Sequence, residues 1–229
     1  SLLYSHAHPD QLEGMHRFGI EVQDRLGLSM PEIRKIARQL GTYHDLALAL
    51  WQTGLADARI VASIIANPKA VDSELMDAWV KEFNSWDVCD QVCMNLFEKT
   101  AYAWQKVGAW SYREEEFVKR GAYALLACLA WHDKNATDEE FTALFPLIYH
   151  GATDKRNYVK KAVSWALRNI GKRNPILNQA AIQEAQTIQQ INSPVARWIA
   201  SDVLRELEGE AVQKRLKVTE SDRARSAKA

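Results

Sequence analysis

Residues 152–172, ATDKRNYVKKAVSWALRNIGK, and residues 192–209, NSPVARWIASDVLRELEG, are two versions of one pattern. Each has a turn, an arginine early in the following helix, an alanine about a turn later and then a Leu-Arg pair. Arg156 and Arg197 are 41 positions apart, close to the roughly 40–47 residues of a paired-helix repeat. A shorter version, LADARIVASIIANP at 55–68, carries Arg59. Such a unit buries one apolar stripe only by stacking on its neighbours, so recurrence favours a curved array of helix pairs. Helical periodicity runs through the chain: Ile33, Ile36, Ala37 and Leu40; Leu46, Leu48, Ala49 and Leu50; Ile60, Val61, Ile64 and Ile65. No convincing alternating run of β-branched residues interrupts it. Pro31, Gly151 and the pairs at 67–68, 174–175 and 193–194 punctuate the stripes. Helices of about 10–17 residues joined by short turns are predicted. The fold class is therefore all-α, a HEAT-like helical repeat solenoid with a concave face over residues 1–210 as one domain; the competing architecture is an irregular helical bundle.

The composition supports a large core: 229 residues, 47% hydrophobic and 25% charged. Acidic and basic side chains balance to a formal net charge of zero, so their distribution matters more than their sum. From Ala211 onward Lys214, Arg215, Lys217, Arg223, Arg225 and Lys228 stand against Glu220 and Asp222 alone. Residues 211–229 are expected to be a basic, flexible tail. No apolar run approaches the roughly 20 residues that span a bilayer, and SLLYSHAHPDQ lacks the pattern of a signal peptide. Cys89, Cys93 and Cys128 lie in apolar helical sequence, where buried thiols in a reducing cytoplasm are expected. Eight tryptophans are many for this length, and any on helix surfaces are candidate stacking platforms.

Three helices carry notable polar chemistry. In DKRNYVKKAVSWALRNIGKRNP, Val159, Ala162, Val163, Ala166, Leu167 and Ile170 form the buried stripe. Lys161, Trp165, Arg168 and Lys172 form another, placing an indole among cations. That face reads either as an aromatic capped by arginine through cation–π contact or as a phosphate-binding face with an aromatic platform. In REEEFVKRGAYALLACLAWHDK, Glu114 to Glu116 suit a helix start; Phe117, Ala124, Leu125 and Cys128 read as core, and Lys119 and Arg120 as its polar side. In NSWDVCDQV, Ser85 is a candidate N-cap, with Trp86 and Asp90 four apart on one face of the first turns. Packing and the helix dipole account for that pair, and so does a site. The HAH at 6–8, with His16 nearby, lacks zinc-site spacing. Cys89 and Cys93 have no partner pair elsewhere. No Gly-rich phosphate loop or serine nucleophile motif is present.

Together these motifs resemble the DNA alkylation repair family of AlkD-like DNA glycosylases. FGIEVQDRLGLSMPEIRKIAR, with Pro31 and Arg34, is similar to that family's N-terminal segment. SWDVCDQ is similar to its W-D-x-x-D element, FVKRGAYALLA to its central Arg-bearing helix, and VKKAVSWALRNIGKRNP to its Trp-Ala-Leu-Arg helix. The resemblance covers roughly residues 12–210. It implies a solenoid holding double-stranded DNA in its concave groove and hydrolytic excision of cationic N3- and N7-alkylated purines without base flipping. The implied catalytic group is Trp86, Asp90, Arg120 and Trp165, with Arg120 at a flanking phosphate. Lys119, Lys160, Lys161, Arg168, Lys172 and Arg173 are expected to meet the DNA backbone. The expectation is a cytoplasmic monomer with no metal, cofactor or membrane partner. The alternatives are a non-catalytic HEAT-like module binding damaged or branched DNA and a protein-interaction scaffold.

Overall fold

The structure, a computed structural model, describes residues 2–217. Helices and short 3-10 turns account for the regular structure, with no β-strand among the described residues. Two compact units, Ser1–Gln105 and Lys106 onward, make up the span that the sequence reads as one repeat domain.

The first unit contains α1 (Leu12–Arg17), α2 (Met30–Leu40), α3 (His44–Trp51), α4 (Ala56–Ile65), α5 (Ser73–Lys81) and α6 (Trp86–Asn95). Ser29 starts α2 with a capping box: its hydroxyl accepts the Glu32 N–H, and the Glu32 carboxylate accepts the Ser29 N–H. The Ser29 hydroxyl and N–H, then the His8 ring, hold the Glu32 carboxyl down at about 2. The central helix is α4, which packs on α2, α3 and α6; Ala58, Ile60, Val61 and Ile65 are almost wholly buried. Asp57, also fully buried, accepts the backbone N–H groups of Leu26 (2.7 Å) and Leu28 (2.9 Å). A buried carboxylate is tolerable because two amides satisfy it, and the bond pair ties the loop before α2 to α4. In α3 the buried face is Ala47 and Trp51, while Ala49 is exposed, so the leucine stripe expected there is only half-buried. A flat stack of Trp51 on Trp79, 3.9 Å apart, determines which face turns inward.

In the second unit α7 (Ala103–Ser111), whose first residues cross the boundary, is followed by α8 (Glu116–His132), α9 (Asp138–Thr142), α10 (Phe145–Gly151), α11 (Asn157–Gly171), α12 (Pro175–Gln189) and α13 (Pro194–Leu207). The main packing is α11 on α8, with α12 and α13 on α11. The expected stripe of α11 is wholly buried, all six residues; each Val, Leu or Ile in it contributes about 1.5–3 kcal/mol. In this unit Gly151 and Gly171 allow close approaches. A Cβ on Gly151 would lie 2.3 Å from the Tyr123 Oη, and one on Gly171 would lie 2.4 Å from a Leu207 methyl. Asn174 caps α12 through the Leu177 N–H. Residues 210–217 form a further helical stretch, so the first part of the segment expected as a flexible tail is helical here; the rest of that segment lies outside the described residues.

Candidate nucleic-acid interface

In the first unit the site begins at the start of α6. Ser85 occupies the N-cap position but makes no cap bond. Its hydroxyl donates to Asp87 Oδ1 (2.6 Å) and accepts the Glu21 N–H (3.2 Å). Asp87 also pairs with Arg25 at 2.8 Å, between side chains only 15% and 2% exposed, and Arg25 Nε donates to the Glu21 carbonyl. The Trp86 indole N–H donates to the Phe18 carbonyl (3.2 Å). The segment from Phe18 to Leu28 is therefore laced to the first turn of α6 and, through Asp57, to α4. This lacing fixes Trp86. Asp90, one turn further, is half-buried, as is Trp86, while Val88, Cys89, Val92 and Cys93 between and beyond them are buried. Of the two carboxylates of SWDVCDQ, Asp87 pairs with the buried Arg25 and Asp90 lies on the Trp86 face of the helix.

In the second unit Lys119 and Arg120 are 8% and 5% exposed, a correction to their expected place on a solvated side. Helix α8 is buried along its whole middle, Val118 to Ala130, so these cations have protein partners. Lys119 lies 3.4 Å from Asp154. Burial tends to raise the Asp154 carboxyl, but hydrogen bonds from Arg156 outweigh it, and the value falls below the ordinary one. Arg120 Nη1 donates to the Tyr158 carbonyl (2.7 Å), holding the first turn of α11. Trp165 is half-buried on that helix.

Most of the other cations on α11 and just beyond its end are also engaged. Arg168 pairs with Glu206 and lies 3.4 Å from Asp202; Lys172 is 2.7 Å from Glu206. Burial pushes the Glu206 carboxyl up, but hydrogen bonds from Lys172 and Arg168 bring it below its ordinary value. Arg173 donates to the carbonyls of Ala130 and Ala136 (2.8 and 3.1 Å) and covers the Phe141 ring at 4.3 Å. Lys160 stands over Trp198 at 4.6 Å, and Lys161 is exposed.

Trp165 borders a cleft of about 470 Å³ shared with Trp131, Lys134, Lys172, Arg173 and Arg215. Trp131 is 54% exposed and was not singled out in the sequence; its only signal is its place at the end of α8, where the apolar pattern gives way to HDK. Asp202 and Glu206 also went unread, because each pairs with a residue 34–38 positions away and no pattern within one helix reveals such a partner. All three cysteines are buried thiols. The His8 ring lies 2.8 Å from Glu32. No helix among the described residues is long and apolar enough to cross a membrane.

Helix pairs stacked through buried apolar stripes define a helical-repeat protein. A model of the DNA alkylation repair enzyme family matches residues 1–208, and the chain belongs to that family. One solved structure matches with a TM-score of 0.71 at 18% identity, covering 90% of this chain and 92% of the other; it represents a new family of proteins related to the HEAT-like repeat DNA glycosylases with affinity for branched DNA structures. At that identity it establishes the HEAT-like fold. A designed armadillo repeat protein in complex with a (KR)4 peptide matches with a TM-score of 0.40 at 14% identity over 81% of this chain and 78% of its own. No curated protein matches the sequence significantly.

Proposed function

We propose that the protein is a monofunctional DNA glycosylase that hydrolyses the N-glycosidic bond of cationic N3- or N7-alkylated purines in duplex DNA, without flipping the nucleotide into a pocket. The observation that carries this reading is the placement on α6 of a half-buried carboxylate, Asp90, one turn from a half-buried indole, Trp86, whose N–H is held by the Phe18 carbonyl. Membership of an alkylation repair family supplies the context.

The chemistry needs little more. An alkylated purine already carries positive charge and leaves without a proton donor. As its bond to C1′ breaks, cationic character grows on the deoxyribose. A fixed carboxylate beside that carbon stabilises it and orients the water that completes hydrolysis, giving an apurinic site and the free base. The Trp86 ring face favours the same positive charge. In the second unit, Trp165 and the exposed Lys161 are groups suited to the DNA backbone. Arg120 contributes by holding the first turn of α11, the helix that carries Trp165. Normal purines are poor leaving groups, so selection rests on the charge of the lesion. The protein acts as a monomer in the cytoplasm on this reading.

Asp90→Asn tests it. Excision of 7-methylguanine from duplex DNA should fall by about 10²–10³, the usual loss on removing one preorganised electrostatic stabiliser, while duplex affinity changes little. Excision at the parental rate removes Asp90 from the mechanism. A non-catalytic module binding branched or damaged DNA is the second reading, favoured by what the structural relative binds. Absence of apurinic sites after incubating the parental protein with methylated DNA selects it.

A further inference from the structure

The cleft at the C-terminal ends of α8 and α11 extends past Trp165 to residues that excision does not use. Trp131, Lys134, Arg173 and Arg215 line its 470 Å³ together with Trp165 and with Lys172, whose ammonium is paired with Glu206. Its walls are built. Lys134 Nζ donates to the Trp131 carbonyl, Arg215 Nη2 donates to the Lys172 carbonyl (2.9 Å), and Arg173 is held by the carbonyls of Ala130 and Ala136. Trp131 lies near-parallel to His132, with ring centroids 4.8 Å apart, yet more than half its surface remains exposed. A large exposed indole at the rim of a cationic cleft is costly to leave in water and well suited to a planar partner carrying negative charge.

We propose that this cleft binds an unstacked nucleotide of a DNA strand, its base on the Trp131 indole and its phosphates on Lys134 and Arg215. The inference rests on the reading of the protein as one that acts on DNA, and it adds a subsite for single-stranded nucleotide beside the duplex contacts. Charge complementarity selects the occupant: an acidic strand fits where a basic segment would be repelled. Stacking on an aromatic ring tolerates any base, because every base has a π-face. The lining, with two indoles and few fixed acceptors, therefore fits sequence-independent capture of a frayed, flapped or overhanging strand.

The test compares affinities for an unmodified blunt duplex and the same duplex with a short thymidine overhang. The parental protein should prefer the overhang by about tenfold, the scale of one stacked base. Trp131→Ala should abolish that preference and Trp131→Phe should retain most of it; Trp131 is exposed, and equal melting temperatures show that the variants are folded. Arg215→Ala should lower the slope of log affinity against log salt for the overhang duplex by about 0.7, one single-strand phosphate. Equal parental affinities for the two duplexes overturn the proposal, as does a preference that survives Trp131→Ala. Competition by thymidine 5′-monophosphate as strong as that by the oligonucleotide overturns it in favour of a free-nucleotide site. Excision of 7-methylguanine from the blunt duplex is scored separately. Its absence alongside a Trp131-dependent overhang preference ends the glycosylase reading and leaves this subsite standing.

Discussion

Asp87 and Asp90 lie three positions apart on α6, and the proposed mechanism gives them different tasks. Asp87 accepts from Ser85 and pairs with Arg25, whose side chain is only 2% exposed. Removing one partner of such a buried pair strands the other charge, at a cost of about 3–5 kcal/mol. Asp87→Asn should therefore lower stability by about 3 kcal/mol, the lower end of that range because Asp87 keeps some contact with solvent, read as a reduced midpoint in urea unfolding. It should also loosen the segment from Phe18 to Leu28 that holds the Trp86 indole. Asp90→Asn should lose excision while leaving the Phe18–Leu28 segment, and with it the Trp86 indole, in place. Excision by Asp90→Asn at the parental rate would contradict the assignment. Sequence alone places both carboxylates in the first turns of a helix. It does not separate them, because the separating group, Arg25, lies 62 positions upstream in a stretch with no helical pattern.

At the level of helices, α11 was legible and α8 was not, for one physical reason. A helix packed on one side displays its core as a periodic stripe, and every residue of the Val159–Ile170 stripe is buried as expected. Helix α8 is surrounded from Val118 to Ala130, so periodicity says nothing about which face is inside. Lys119 and Arg120 then read as surface charges although Asp154 and the Tyr158 carbonyl hold them indoors. The contact of α11 with α13 was hidden differently. Each helix shows its own charges, but the register that sets Arg168 and Lys172 against Glu206 belongs to the stacking of repeats. That contact makes a pH-dependent prediction. Glu206 titrates lower in the folded chain than its ordinary 4.5, since the hydrogen bonds from Lys172 and Arg168 outweigh burial. Its stabilisation is complete above about pH 4.5 and disappears as pH falls through the depressed folded value. Glu206→Gln should lower the melting temperature at pH 7 by about 2–4 °C, the equivalent of roughly 1 kcal/mol for a partly exposed pair. The difference from the parental protein should close below pH 4.5. A gap that is constant down to pH 3 would show that the carboxylate charge contributes nothing there.

For the whole molecule, a formal net charge of zero leaves no overall field to draw in DNA, so affinity must come from individual phosphate contacts. Each neutralised phosphate of a duplex adds about 0.9 to the slope of log affinity against log salt. The cations expected to supply those contacts are not equivalent. Lys161 is exposed. Lys119 faces Asp154, Arg168 and Lys172 face Glu206, and Arg173 is bonded to two carbonyls. A cation already paired with a carboxylate gains little from a phosphate unless the pair opens, because the phosphate replaces an existing attraction. Lys161→Ala should accordingly reduce the salt slope by about 0.9, and Arg168→Ala should reduce it by much less. Glu206→Gln should act in the opposite direction: with the competing carboxylate neutral, Arg168 and Lys172 turn to phosphate, and both affinity and slope rise. Fluorescence titration of the four proteins with one duplex at several salt concentrations measures all of these slopes. A Glu206→Gln protein that binds no more tightly than its parent would mean that the α13 carboxylates do not compete with DNA, and that Arg168 and Lys172 serve the helix stack alone.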